Sequence, residues 1–231
     1  RMSRGLGDVY KRQVKKLYYW CLKCWRSHTI KNKNVTIISN NCWGGFMYQS
    51  CKLEYQSPFV GLFILAPCYI ELLERFDEVI NRPLIFKRTV DSKYKKFLKG
   101  NWIIGMFEGT DIEIVFMHYH SESEIRLKWN RRLKRIDRNN MLVKLSDTDE
   151  GLFNEEILKR FEALPFKHKV CFTCKPYPQS KSVIYLPEFK NQGRVLYEWA
   201  YSNRHYKFVK EVNTVSYTHL RAHETFADLV C

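Results

Sequence analysis

No run of apolar residues in this sequence is long enough to cross a bilayer as a helix. Phe59-Val60-Gly61-Leu62-Phe63-Ile64-Leu65-Ala66 falls well short and suits a buried strand. Also missing are a visible secretory signal, an internal repeat, a low-complexity segment and any recognisable nucleic-acid module. Acidic residues are scarce, 24 against 39 Lys and Arg, for a net charge of +15. That balance implies an anionic partner: nucleic acid, a membrane surface or a phosphorylated small molecule. No disulfide framework is apparent either. Of the 8 cysteines, the seven left once the terminal Cys231 is set aside, Cys21, Cys24, Cys42, Cys51, Cys68, Cys171 and Cys174, are odd in number and not spaced like a small secreted scaffold. Reduced thiols and a cytoplasmic location, at the inner membrane surface if the chain has a membrane contact, are the expectation.

The two ends stand apart. Ser3 to Gln13 and Val215 to Thr225 both look like translated sequencing adapters, and Leu229-Val230-Cys231 fits the adapter that follows a variable index. Residues 1–13 and 215–231 are therefore expected to be artefacts, with the true start and stop unknown. What remains is Val14 to Thr214, enough for one domain with a real core. It divides into a basic, aromatic helix over 14–33, able to lie on an anionic membrane or pack on the flank of the domain, and an α/β domain over 34–214.

What is present centres on Val35-Thr36-Ile37-Ile38-Ser39-Asn40-Asn41-Cys42-Trp43-Gly44-Gly45. A short β-branched run gives a strand, the polar triplet a turn, and the glycine pair opens a helix through about Tyr55. A second strand is expected over Phe59–Leu65, then a helix from Pro67 through Ile80. Leu84–Val90, Trp102–Phe107 and Ile112–Met117 read as strands, the last two paired. Ser121 caps a helix with Glu124 at the capping-box position, running to about Ile136. Met141–Leu145, Val170–Thr173 and Val183–Leu186 are further strands. Helices are expected over Phe153–Leu164 and Val195–His205. Alternation of strands and helices predicts an α/β fold, a three-layer sandwich around a mixed, mostly parallel sheet.

Four polar clusters follow strands directly: Ser39-Asn40-Asn41-Cys42, His118-Tyr119-His120, Ser146-Asp147-Thr148-Asp149 and Thr173-Cys174-Lys175. If those strands are parallel neighbours, the clusters meet at the carboxyl edge of the sheet, where such sheets bind ligands. Asp147 and Asp149 resemble the D-x-D signature of glycosyltransferases, in which paired carboxylates hold magnesium or manganese against a nucleotide diphosphate. Alternatively they turn the loop and cap a helix. Cys42, before a helix, is a candidate nucleophile with His118 or His120 as its base, or else a small buried hydrophobe. Cys21-x-x-Cys24 and Cys171-x-x-Cys174 have the ligand types for zinc, but residues three apart on a strand face opposite ways, so no zinc site is expected.

SNNCWGG, SPFVGLF (57–63), HYHSESEIRLKWNRRLKRI (118–136), LVKLSD (142–147) and FEALPFKHKVCFTCKPYP (161–178) resemble, in order, the motifs of a bacterial family. It is the domain-of-unknown-function family numbered nineteen-nineteen, whose members often carry the name exopolysaccharide biosynthesis protein. The resemblance covers about Asn34 to Val209 and implies a role in surface-polysaccharide assembly. Within K-W-N-R-R it singles out Lys128, Trp129, Arg131 and Arg132 as ligand contacts, against the plainer role of a solvated helix face.

The expected function is glycosyl transfer from a nucleotide sugar to a polysaccharide acceptor. Asp147 and Asp149 would hold the cation. Ser39, Asn40, Asn41, Trp43, Gly44, Gly45 and His120 would line the donor site, Lys175 or Arg131 would offset phosphate charge, and His118 would serve as general base. Two alternatives stand beside it: a Cys42/His118 acyltransferase or hydrolase, and a non-catalytic binding or assembly factor.

Overall fold

The computed structural model describes residues 2–31, 33–149, 151–201 and 205–212. Residues 215–231, expected to be artefactual, lie outside them, as do 202–204 of the expected final helix. The first element is a long helix, α1 (Met2–Thr29), which runs without a break through residues 2–13 into the basic segment.

Strand β1 (Thr36–Ser39) leads into α2 (Trp43–Ser50), as the strand–turn–glycine pattern predicts. The helix stops short of Tyr55. Lys52 takes a left-handed backbone, with φ at 52°, and the Leu53 N–H returns to the Tyr48 carbonyl at 2.8 Å. That closing turn satisfies end carbonyls and ends the helix.

The expected strand over Phe59–Leu65 does not form. Gly61 turns the chain with φ at 76°, so only Phe63 pairs, with Val115. The Ile64 N–H goes instead to the Asn40 carbonyl, 2.8 Å away. The run is buried, as its apolarity demands, but it covers other elements without joining a ladder. The following helix is split at Arg75 into α3 (Ala66–Glu74) and α4 (Phe76–Val79).

The strands divide between two sheets. β2 (Leu84–Arg88), β3 (Ile103–Phe107) and β4 (Glu113–Phe116) form an antiparallel meander. β1, β5 (Met141–Ser146), β6 (His168–Thr173) and β7 (Val183–Tyr185) form a wholly parallel sheet in that order. The class is α/β, with parallel and antiparallel strands segregated and not mixed in one sheet. Helices α5 (Glu122–Leu133) and α6 (Glu155–Ala163) follow β4 and β5. Ser121 caps α5 by accepting the Glu124 N–H, while the Glu124 carboxylate accepts the N–H of His120, one residue before the cap.

Alternate residues of the parallel strands enter two separate apolar clusters. Ile38, Val143, Leu145 and Cys171 pack with α3, α5, α6 and the meander. Ile37, Leu142, Val170 and Phe172 pack with α2 and α7 (Tyr206–Val212). Each fully buried side chain of this kind contributes about 1.5–3 kcal/mol. Burial on both faces explains the unbroken apolar runs Ile37-Ile38, Met141-Leu142-Val143 and Val170-Cys171-Phe172 within these strands. Over residues 195–201 of the expected final helix the chain is irregular up to a left-handed Tyr197, with φ at 57°, and then forms a 3₁₀ turn at Glu198–Tyr201.

Candidate functional site

Three of the four polar clusters meet at the carboxyl edge of the parallel sheet, at the exits of β1, β5 and β6. The Asn40 side chain ties two exits together: its amide oxygen accepts the Ser146 N–H at 3.0 Å and its nitrogen donates to the Ser146 carbonyl at 3.3 Å. Asn41 turns the other way. Its amide oxygen accepts the Trp43 N–H at 3.1 Å, holding the first turn of α2. Ser39 supports that turn by accepting the Asn41 N–H.

Beneath the turn lies a charged pair that the sequence analysis missed. Lys144, mid-strand on β5, donates to Asn41 Oδ1 at 2.8 Å and to Glu198 Oε1. The same Glu198 oxygen accepts from Asn41 Nδ2 and Ser146 Oγ, each at 2.6 Å. Glu198 Oε2 has no hydrogen-bond partner among the described residues. Burial pushes the Glu198 carboxyl upward, but the Lys144 charge and the donated hydrogen bonds hold it below the usual range. Burial pulls the Lys144 ammonium down, against the attraction of Glu198. Trp43 and Phe172 place their rings 5.7 and 5.5 Å from the ammonium. A lone lysine within the otherwise largely apolar run Met-Leu-Val-Lys-Leu-Ser was the available signal.

The fourth cluster comes from the other sheet. His118 follows β4, yet its Nε2 lies 3.5 Å from the Cys42 Sγ. That is hydrogen-bond range for sulfur. Cys42 stands at the amino end of α2 and His118 is exposed, so the pair opens to solvent on the imidazole side. Burial raises the Cys42 thiol pKa, Glu198 adds to the rise and Lys144 opposes it. The resting thiol is therefore protonated.

The loop that carries His118 is braced. The His118 N–H donates to the Gly61 carbonyl at 3.2 Å. Tyr119 donates its hydroxyl to the Val60 carbonyl at 2.7 Å and accepts from Arg132 Nη1 at 2.9 Å. Arg132 thus serves as a buried support for this loop. Glycines 44 and 45 serve close packing: a Cβ would come within 3.2 Å of Ile37 and Ser39 at Gly44, and within 3.1 Å of Val60 at Gly45.

Asp147 and Asp149 leave β5 together but spend their carboxylates separately. Asp149 accepts the Ala66 N–H and so caps α3. Its burial, and to a smaller degree Asp147, raise its pKa to about 7 against the pull of the Ala66 and Thr148 hydrogen bonds. Asp147 accepts from the Cys174 thiol at 3.1 Å, and burial raises it too. Among the described residues no group of three or more His, Cys, Asp or Glu is arranged to hold a metal ion. Lys175 is exposed near Asp147.

The remaining candidates on α5 and its approach are not gathered at the sheet edge. Trp129 packs in the core against Phe59, Phe107 and Phe116. Lys128 pairs with Glu124 at 2.5 Å, and Arg131 is exposed. His120 is exposed at the start of the helix. Trp43 is buried and donates its indole N–H to His205 at 3.1 Å. Cys171 and Cys174 enter the two different core clusters, one on each side of the sheet.

The sequence matches the family model described as Domain of unknown function (DUF1919) over residues 13–219. An uncharacterized protein of Haemophilus influenzae is 36% identical over 166 residues, spanning 72% of this chain and 74% of its own length.

Proposed function

This chain belongs to the DUF1919 family, and from that premise we propose that it is a thiol-dependent acyl-transfer or hydrolase enzyme serving bacterial surface-polysaccharide assembly. The single observation that carries the proposal is the 3.5 Å contact between Cys42 Sγ and His118 Nε2. Nucleophile and base from different sheets meet at a ligand-binding edge.

The chemistry follows from the protonated thiol. As Cys42 Sγ attacks an acyl carbonyl carbon, its proton passes to His118 Nε2. The tetrahedral intermediate collapses, the leaving group departs with that proton, and a thioester remains on Cys42. A sugar hydroxyl or water then attacks the thioester carbonyl while His118 takes its proton, and the thiol is restored. The amino end of α2 favours negative charge on the sulfur and on the developing oxyanion. Seven free thiols among the described residues support a reducing, cytoplasmic setting. In fold terms the proposal is a three-layer sandwich, with helices on both faces of the parallel sheet.

Metal-dependent glycosyl transfer from a nucleotide sugar is the rival. Its support is the placement of Asp147 and Asp149 at one strand exit, where mutual repulsion contributes to a raised carboxyl. One experiment separates the two: turnover of activated acyl esters by the Cys42→Ala and Asp147→Asn variants, beside thermal shifts with nucleotide sugars and manganese. The thiol proposal expects loss of turnover in Cys42→Ala alone. A manganese-dependent shift abolished by Asp147→Asn, with no esterolysis, would replace it with the transferase.

A further inference from the structure

The segment Val14 to Thr29 of α1, VKKLYYWCLKCWRSHT, contains no acidic residue. Val14, Leu17, Tyr18, Cys21 and Trp25 recur at steps of three and four, so they share one face of the helix. In a helix packed on a core such a stripe points inward. Here it points outward: Val14 is 48% exposed, Leu17 62%, Tyr18 59% and Trp25 51%. The helix reaches the body through its carboxyl end instead, where Arg26 and Ile30 are buried. Lys15, Lys16 and Lys23 leave the helix beside and opposite that stripe, on a side that also carries the exposed rings of Tyr19 and Trp20.

Three occupants would cover an apolar stripe with this rim. A second copy would bring lysines against lysines, with no carboxylate in the segment to answer them. A nucleic acid would match the lysines but would leave Val14 and Leu17 uncovered. An anionic lipid surface answers both features. Tyr and Trp rings suit the headgroup level, Val and Leu the acyl boundary, and lysines the phosphates. No helix among the described residues is long and apolar enough to cross a membrane, so this one would lie on the surface.

We propose that residues 14–25 of α1 dock the protein on an anionic lipid surface, with the Val14–Leu17–Tyr18–Trp25 stripe in the headgroup boundary.

The test is flotation of the full chain with vesicles of phosphatidylcholine alone and of phosphatidylcholine mixed with phosphatidylserine. The proposal expects binding to the mixed vesicles and little to the neutral ones. Leu17→Glu with Tyr18→Glu should abolish binding without moving the thermal midpoint, because both side chains are exposed. Lys15→Gln with Lys16→Gln should weaken binding about 25-fold, at about fivefold per lysine. Equal binding to neutral vesicles, or binding that survives Leu17→Glu with Tyr18→Glu, would overturn it. So would a labelled oligonucleotide bound in place of vesicles, or a dimer in light scattering that this double variant dissolves while vesicles stay unbound.

Discussion

The Lys144 ammonium and the Glu198 carboxylate meet at 2.5 Å with both side chains wholly shielded from solvent. They join the centre of the parallel sheet to the 3₁₀ turn at Glu198–Tyr201, and Asn41 links both to the turn that carries Cys42. A buried ion pair is tolerated when each charge is matched, and breaking one side leaves the other charge stranded.

Lys144→Met should therefore destabilise the fold by about 3–5 kcal/mol, read from urea denaturation. Lys144→Met with Glu198→Leu should recover much of that loss, because no unpaired charge remains. Equal loss in the single and double variants would show that the pair's charges are not what the site depends on.

Asp149 gives a pH signature. Its pKa is about 7 in the fold against 3.8 for the free group, so between those values the folded state holds a proton that the unfolded state has released. Stability contributed at this site is present below about pH 4, falls as pH rises toward 7, and is level above that. The slope is at most about 1.4 kcal/mol per pH unit for one proton. Asparagine keeps an acceptor for the Ala66 N–H and does not titrate. The difference in stability between Asp149→Asn and the wild type should grow in favour of the variant from pH 4 to 7, measured by denaturant melts at each pH. A constant difference would contradict the assignment.

Gly61 holds a left-handed backbone, and its carbonyl accepts the His118 N–H. A Cβ there would lie 3.3 Å from the Tyr119 ring and 3.4 Å from the His118 Cβ. Gly61→Ala should cost about 1–3 kcal/mol of stability. It should also slow Cys42 acylation by displacing the imidazole. Wild-type acylation in a destabilised but folded Gly61→Ala protein would remove this loop from the account.

The order of strands and helices was legible because its signals are local. Ile37-Ile38 before Asn40-Asn41, the Ser121 cap, and the Glu108-Gly109 turn between β3 and β4 each declare themselves within a few residues. What failed needed distant information. Phe59–Leu65 has strand composition, but only Phe63 has a partner, and that partner is about fifty residues away. The division into two sheets depends on pairing that no single segment encodes. At the site, Cys42 and His118 were visible as chemistry but not as neighbours on different sheets. Lys144 was overlooked inside a strand, and Glu198 was hidden in a segment whose apolar spacing imitated a helix. Asp149 carried two readings, metal ligand and cap of the helix that follows it; its carboxylate accepts the first N–H of α3, a helix about eighty residues earlier in the chain, which no local pattern announces.

His118 should govern the rate of the first chemical step. His118→Gln keeps a polar side chain but removes an efficient proton acceptor. Acylation of Cys42 should fall by about 10²–10⁴-fold, followed by the release of p-nitrophenol from an activated ester. An unchanged rate would reduce the 3.5 Å contact to packing.

The most direct measurement is intact-mass and peptide mapping of the full chain after brief reaction with p-nitrophenyl acetate. The account predicts a single acetyl group on Cys42, released by hydroxylamine, absent in Cys42→Ala and slow to form in His118→Gln. Acetylation spread over other thiols and lysines, or an adduct that persists in Cys42→Ala at the wild-type rate, would contradict it.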